Sequence, residues 1–189
     1  MAVYELQTPF DSAEIAKLRV GDLVYVSGKA FTCRSRLHRR VFDENHPSPK
    51  AAVERDLLIH VGPIVLRHPD SYELVSFMPT SSIRFEKWGA RAVDEWGLRM
   101  IIGKTTMGEE TMAMMQKKKC VHVSPQCVSP NFWVQNINIT DVELSQVDET
   151  RPIYIKQHGA FFALLELNVK GNHTAEAKLL KLTKRQEEE

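Results

Sequence analysis

The sequence predicts an α/β fold built on a mixed sheet system, and three observations carry that reading. Short aliphatic runs at 23–27, 57–61, 98–102 and 120–123 read as buried strands. Between the middle strands, apolar residues recur at helical spacing, as in Phe85, Trp88, Ala92, Val93 and Trp96. Further short strands cluster at both ends of the chain, which sets it apart from a purely doubly wound sheet.

In chain order, residues 3–7 read as a short strand. Asp11 with Glu14 has the form of a capping box and opens a brief helix through Leu18. Val20-Gly21-Asp22 turns the chain into the 23–27 strand, which Gly28-Lys29 is expected to stop; residues 30–33 form a second short strand. Arg34-Ser35-Arg36-Leu37-His38-Arg39-Arg40 then reads as a helix. Its inner side takes Arg34, Leu37, His38 and Val41, while Arg36 and Arg40 face elsewhere. Two prolines in His46-Pro47-Ser48-Pro49 mark 43–50 as a surface loop.

Gly62-Pro63 turns the 57–61 strand, and short strands follow at 64–66 and 72–77. The Phe85–Trp96 pattern ends with Gly97 at C′. After the 98–102 strand, Thr106 with Glu109 forms a capping box for a helix to about Lys119 carrying Met112 and Met115 inward. Residues 120–123 are a strand, Ser129-Pro130 starts a short helix through Val134, and 137–144 is extended in part. Strands at 153–156 and 161–167 flank His158-Gly159. Residues 1–171 are expected to form one domain, and 172–189 a charged, helical tail.

One stretch organises the candidate chemistry: Phe77-Met78-Pro79-Thr80-Ser81-Ser82-Ile83-Arg84. Pro79 fixes φ where a strand ends, and Thr80, Ser81 and Ser82 offer N-cap oxygens. Unpaired N–H groups at a helix start make an anion site. Arg84 adds a planar guanidinium suited to a carboxylate. The same strand-then-helix logic recurs at Thr32-Cys33-Arg34 and at Gly103-Lys104-Thr105. Ligands in α/β sheets collect at the carboxyl ends of strands, so three cations delivered there suit a small dicarboxylate. His38, on the inner side of its helix, is a candidate to orient a substrate, with a structural hydrogen bond as the alternative.

Bulk composition excludes several classes. The 189 residues carry 25 Lys and Arg against 24 Asp and Glu, a net charge of +1, so no basic field argues for nucleic acid. No apolar run approaches the roughly 18 residues needed to span a bilayer, and the N-terminus lacks a signal-peptide pattern. Cys33, Cys120 and Cys127 are too few and too scattered for a disulfide framework. A reducing, cytoplasmic setting follows as the expectation. Gly103-Lys104-Thr105-Thr106 lacks the first glycine of a P-loop. Without a CxxC pair or a histidine at ligand spacing, no metal site is expected in this chain.

Taken together, the motifs resemble the beta subunit, or C-terminal domain, of the iron–sulfur-dependent class I fumarate hydratases and L-tartrate dehydratases. The family's Lys-x-Gly-Asp-x-Val strand and Ser-Gly ending have counterparts in Arg19-Val20-Gly21-Asp22-Leu23-Val24 and Ser27-Gly28. Its Thr-Ala-Arg-Asp-x-x-His-Lys-Arg segment corresponds to Thr32-Cys33-Arg34-Ser35-Arg36-Leu37-His38-Arg39-Arg40, and its Gly-Pro-Thr-Thr-Ser-x-Arg to Met78-Pro79-Thr80-Ser81-Ser82-Ile83-Arg84. Its Gly-Lys-Gly corresponds to Gly103-Lys104-Thr105, and its Tyr-x-Gly-Pro to His60-Val61-Gly62-Pro63. The chain departs at Ser35, Met78, Thr105-Thr106 and the bulky segment 124–133.

The resemblance implies a swivelling β/β/α three-layer domain, with a parallel sheet and a second antiparallel sheet. It implies a hydro-lyase site shared with an alpha subunit in a hetero-oligomer, a homodimer being the alternative for the chain alone. A [4Fe-4S] cluster sits on that partner, so none is bound by this chain. The implied reaction is reversible hydration of fumarate to malate, a step of the tricarboxylic acid cycle, or dehydration of another hydroxy-diacid. Arg34, Arg84 and Lys104 take the family's carboxylate-binding roles, with Ser81 and His38 beside them, and Thr80 the role of proton acceptor. Two rival functions stand against this one. A non-catalytic paralogue that binds a partner protein or a dicarboxylate is suggested by the departures at Ser35, Met78 and Thr105. An RNA-binding module on Arg34 to Arg40 is opposed by the near-zero net charge.

Overall fold

The computed structural model describes residues 2–126, 129–143 and 164–169. Among the described residues, nine strands fall in the order β1 (Val3–Gln7), β2 (Leu23–Cys33), β3 (Leu57–His60), β4 (Ile64–Arg67), β5 (Tyr72–Ser76), β6 (Met100–Ile102), β7 (Val121–Val123), β8 (Ile137–Glu143) and β9 (Leu164–Val169). The helices are α1 (Ser12–Ile15), α2 (Ser35–His38), α3 (Lys50–Glu54), α4 (Glu86–Glu95), α5 (Glu109–Lys118) and α6 (Pro130–Asn136). A π-turn over Arg39–Asp43 continues α2, and a 3₁₀ turn over Ser82–Phe85 leads into α4.

The main sheet runs β7-β6-β3-β2-β9-β8, with β1 paired to the first half of β2. Strands β1, β2, β3, β6 and β7 are mutually parallel, whereas β9 and β8 continue the sheet antiparallel. A separate antiparallel hairpin joins β4 to β5. Both faces of the parallel strands are buried. Leu57, Ile59, Met100 and Ile102 enter one core together with Phe77 and Trp133. Leu58 and Ile101 enter a second core under the helices, with Phe31, Trp88 and Trp96. Period-two alternation with apolar residues at both phases is what a parallel sheet covered on both faces requires. The predicted mixed α/β class and its two kinds of sheet are present.

The local expectations met particular corrections. Gly28-Lys29 does not stop a strand: β2 runs through it for 11 residues. Gly28 adopts φ +108° instead, a conformation open to glycine. The bend lets Thr8 insert its side chain, accepting from Lys29 N at 2.6 Å, where a Cβ on Gly28 would overlap the Thr8 hydroxyl. Each half of β2 then serves different neighbours, β1 before the bend and β9 and β3 after it. The segment read as one helix from Arg34 is a single α-turn continued by the π-turn. The expected 43–50 loop is interrupted by α3 at its end.

Thr106 does not cap α5. The capping carboxylate comes from Glu86 on α4, which accepts from Gly108 N at 2.6 Å and from Thr111 N at 3.1 Å. An acidic group at a helix start is stabilising whether its source is local or distant. Asp11 does cap α1, accepting from Ala13 N at 2.8 Å, and Gly97 follows α4 at φ +63°. The expected strand at 153–156, His158, Cys127 and the 172–189 tail lie outside the described residues. No helix among the described residues is long and apolar enough to cross a membrane.

Candidate active site

Parallel pairing fixes where the candidate residues arrive. Cys33 pairs with His60, Ile59 with Ile102, and Ile102 with Val123, so the carboxyl ends of β2, β3, β6 and β7 stand in register. Arg34, Val61, Gly103 and Ser124 are the next residues along these strands. The strip after β5 is sewn across this edge by backbone bonds. Val61 and Pro79 form an antiparallel bridge, and Ser81 and Lys104 a parallel one. Thr80 N donates to His60 O at 2.7 Å, Lys104 N to Thr80 O at 2.9 Å, and Ser82 N to Lys104 O at 2.7 Å. Lys104 is therefore held beside Thr80 and Ser81 although it lies far from them in sequence.

Arg34 lies along the same edge. Its side chain crosses Gly62, where a Cβ would come within 2.6 Å of Nη1. Glycine next to the Val61–Pro79 bridge leaves the guanidinium its course. Arg84 is exposed on the 3₁₀ turn, two residues past the strip. Among the described residues, neither Arg84 nor Lys104 has an ion-pair partner.

Several of the backbone N–H groups expected to face an anion are already bonded within the fold. The amides of Thr80, Ser82 and Arg84 are bonded to carbonyls of His60, Lys104 and Ser81, and Ile83 N faces Thr105 Oγ1 at 3.4 Å. Nor do the hydroxyls act as caps, since no side chain caps the 3₁₀ turn.

His38 lies beneath the edge and not on it. It is fully buried, stacked on Phe85 and Trp88 at 5.3 and 5.6 Å between centroids. Its Nδ1 is 3.2 Å from both Arg34 O and Cys33 Sγ. Direct contact with a substrate is closed to it in this structure, because aromatic rings enclose it. What it touches is the backbone carbonyl of Arg34. Burial pushes the Cys33 thiol well up, so the neighbouring arginine does not make it a reactive thiolate.

Two histidines that the sequence reading left without a role, and a serine it read as a capping hydroxyl, form the buried base of the edge. Ser82 Oγ is 2.9 Å from His60 Nδ1 and 2.8 Å from His122 Nε2. All three residues are buried. The signal in the sequence was positional: His60 and His122 each follow an aliphatic residue in a run whose alternation sends both to the helix side of the sheet. Gly103 makes room for the serine, since a Cβ there would overlap Ser82 Oγ and lie 3.1 Å from Thr80 O.

Burial lowers His38 and His122 to about 4, and lowers His60 further with help from the other two histidines. The folded protein thus keeps three neutral imidazoles that the unfolded chain protonates below about 6.5. Their contribution is fully present above that value and is lost as pH falls towards 4. Unfolding free energy from urea titrations is expected to be flat between about pH 7 and 8, above which the buried Cys33 and Cys120 thiols, kept protonated by the fold, lower it. Below about pH 7 the value should fall by up to about 1.4 kcal/mol per pH unit for each histidine. An unchanged urea midpoint between pH 7.5 and 5 would contradict this.

Among the departures, Met78 is 42% exposed and its side chain is not packed inside the fold. Thr105 takes a left-handed φ of +59°, which glycine adopts at less cost. Trp133, from the bulky 124–133 segment, is buried and stacks on Phe77 at 5.5 Å, just before the strip.

Comparison with known proteins finds that the family profile described as Fumarase C-terminus matches residues 2–147. The L(+)-tartrate dehydratase subunit beta of Escherichia coli (strain K12) is 36% identical over 118 residues, 62% of this chain and 58% of that protein. A Geobacillus stearothermophilus protein provisionally named as a class I fumarate hydratase is 25% identical over 172 residues, 90% of this chain and 33% of its own length. The matched region thus spans a little over half of the first relative and a third of the second.

Proposed function

Because the chain belongs to the Fumarase C-terminus family, we propose that it is the beta part of a dicarboxylate hydro-lyase of the fumarate hydratase type, completed by an alpha subunit. The observation that carries this reading is the bonded strip that sets Thr80, Ser81 and Lys104 beside the course of Arg34. Arg34 and Arg84 fork onto the substrate carboxylates, and Lys104 adds a compact positive charge. Thr80 accepts the proton from the carbon beside a carboxylate. Negative charge then gathers on that carboxylate, and fixed cations stabilise it more than they stabilise the ground state.

The family's [4Fe-4S] cluster is assigned in this proposal to the partner. The described residues here do not fit it: Cys33 and Cys120 are buried thiols, and no cluster of three His, Cys, Asp or Glu side chains among the described residues can hold a metal. Dehydration of L(+)-tartrate is the second reading, favoured by the higher identity to the tartrate dehydratase subunit beta. Assaying the assembled enzyme on malate, fumarate and L(+)-tartrate separates the two. Turnover of none of them would overturn both.

Gly62→Ala tests the role given to Arg34 without touching a charge. The new methyl takes the space of the Arg34 stem, which is flexible and swings away. Loss of one charge-assisted hydrogen bond is worth about 1.5–3 kcal/mol, roughly tenfold to a hundredfold in affinity. The inhibition constant of a saturated four-carbon dicarboxylate should rise by that factor while the melting temperature stays nearly constant. Unchanged inhibition would remove Arg34 from the site.

A further inference from the structure

The hydroxyl of Ser82 has one proton to share between two imidazoles, at 2.9 Å from His60 Nδ1 and 2.8 Å from His122 Nε2. The oxygen has lone pairs for both rings, but if both rings donated to it the buried O–H would have no acceptor among the described residues; it therefore donates to one ring and accepts from the other. The far side of His122 decides which. His122 Nδ1 is buried and has no hydrogen-bond partner. If Ser82 donated to His122 Nε2, the ring's own proton would sit on Nδ1 as a buried donor with no acceptor. Orphaned buried N–H groups are rarer in proteins than under-satisfied acceptors. The consistent arrangement has His122 protonated at Nε2 and donating to Ser82, which passes its own proton to His60 Nδ1.

Ser82 is also the last link of the strip. Its amide donates to Lys104 O, Lys104 N donates to Thr80 O, and Thr80 N donates to His60 O. Main chain and side chain together thus fasten the strip to β3, to the end of β6 and to β7. Gly103 is the residue whose missing side chain admits the serine. Phe85, which follows on the same turn, packs against His60 at 4.5 Å between centroids.

We infer that Ser82 is a positioning residue: held between His60 and His122, with both rings in the Nε2–H form, it fixes Thr80 and Lys104 relative to one another. The value of that placement rests on the function proposed above, but the proton arrangement does not.

The experiment uses the full chain with ¹⁵N-labelled histidine at neutral pH. Imidazole nitrogen shifts and N–H couplings should show His60 and His122 both protonated on Nε2 and bare on Nδ1. A dominant Nδ1–H form of either ring would overturn the inference. Two variants then read the positioning. His122→Gln keeps an N–H donor near the place of Nε2, whereas His122→Leu fills the space and offers none. Hydrogen exchange at the amides of Ser82 and Lys104 should rise at least tenfold in His122→Leu and stay within about threefold of the parent in His122→Gln. The leucine variant should melt no lower than the parent, because the unpaired Nδ1 is gone. A merely structural histidine predicts the reverse, with both variants less stable and no difference in exchange at the two amides, and that result would overturn the inference. A parent enzyme without turnover would sink the proposed function and leave this arrangement standing.

Discussion

Thr80→Ala in the assembled enzyme is expected to lower kcat by roughly 10²- to 10⁴-fold, the range for removing a general base, and to leave dicarboxylate inhibition within a few fold. Both backbone bonds of residue 80, to His60 O and from Lys104 N, survive the substitution. The residue is only half-buried, so losing its hydroxyl and methyl disturbs little packing. No cation is removed, and ground-state binding is retained. A threonine hydroxyl is a weak base in water. In the proposed reaction it would serve only through neighbouring cations that favour its alkoxide, which gives Lys104, bonded to it through the main chain, its expected effect on the rate. Steady-state kinetics with a dicarboxylate inhibitor series check the split. A fall in binding that matches the fall in kcat would mean that the variant had displaced the cations.

Gly103→Ala should be among the most damaging glycine-to-alanine changes at the described residues. No positive φ is involved; the cost is steric. The added carbon would overlap Ser82 Oγ and lie 3.3 Å from His60 Cβ. Ser82 cannot turn away, because its hydroxyl is committed to both imidazoles. The whole strip must move, carrying Thr80 with it. Overpacking of this kind costs about 1–3 kcal/mol, or roughly 3–10 °C in melting temperature for a chain of this size. A displacement on the order of 1 Å at a reacting group costs about a hundredfold in rate. Ser82→Ala in the same chain vacates the contested space. The double variant is therefore expected to regain melting temperature but not turnover. Recovery of both would show that the serine has no part in positioning.

Much of this arrangement was legible in residue order. The aliphatic runs at β3, β6 and β7 announced a parallel sheet, and the cations after β2 and β6 were expected at one sheet edge, where the strand register brings them. What escaped was long-range. Gly28-Lys29 reads as a stop because a glycine's local meaning is a turn; that it admits Thr8 depends on a residue 20 positions away. The start of α5 offers Thr106 as a cap, yet Glu86, 22 residues before Gly108, reaches it first across the helix pair. Ser82 looked like one of three capping hydroxyls, and nothing in its neighbourhood announces two histidines. His38 could be placed on an inner face by spacing alone. Only the packing of Phe85, Trp88 and Trp96 around it shows how deep that face lies.

The account turns on Arg34, Arg84, Thr80 and Lys104 serving one dianion, and a double-mutant cycle on Arg34 and Lys104 tests this most directly. The measurement is the inhibition constant of a saturated four-carbon dicarboxylate for the assembled enzyme, with Arg34→Gln, Lys104→Gln and the pair. Each single variant should weaken inhibition about tenfold to a hundredfold. The double variant should differ from the product of the two by threefold or more, as groups sharing one ligand do. Singles that bind as the parent does would contradict a shared site. The chain would then stand as a paralogue that uses this sheet edge for something other than dicarboxylate chemistry.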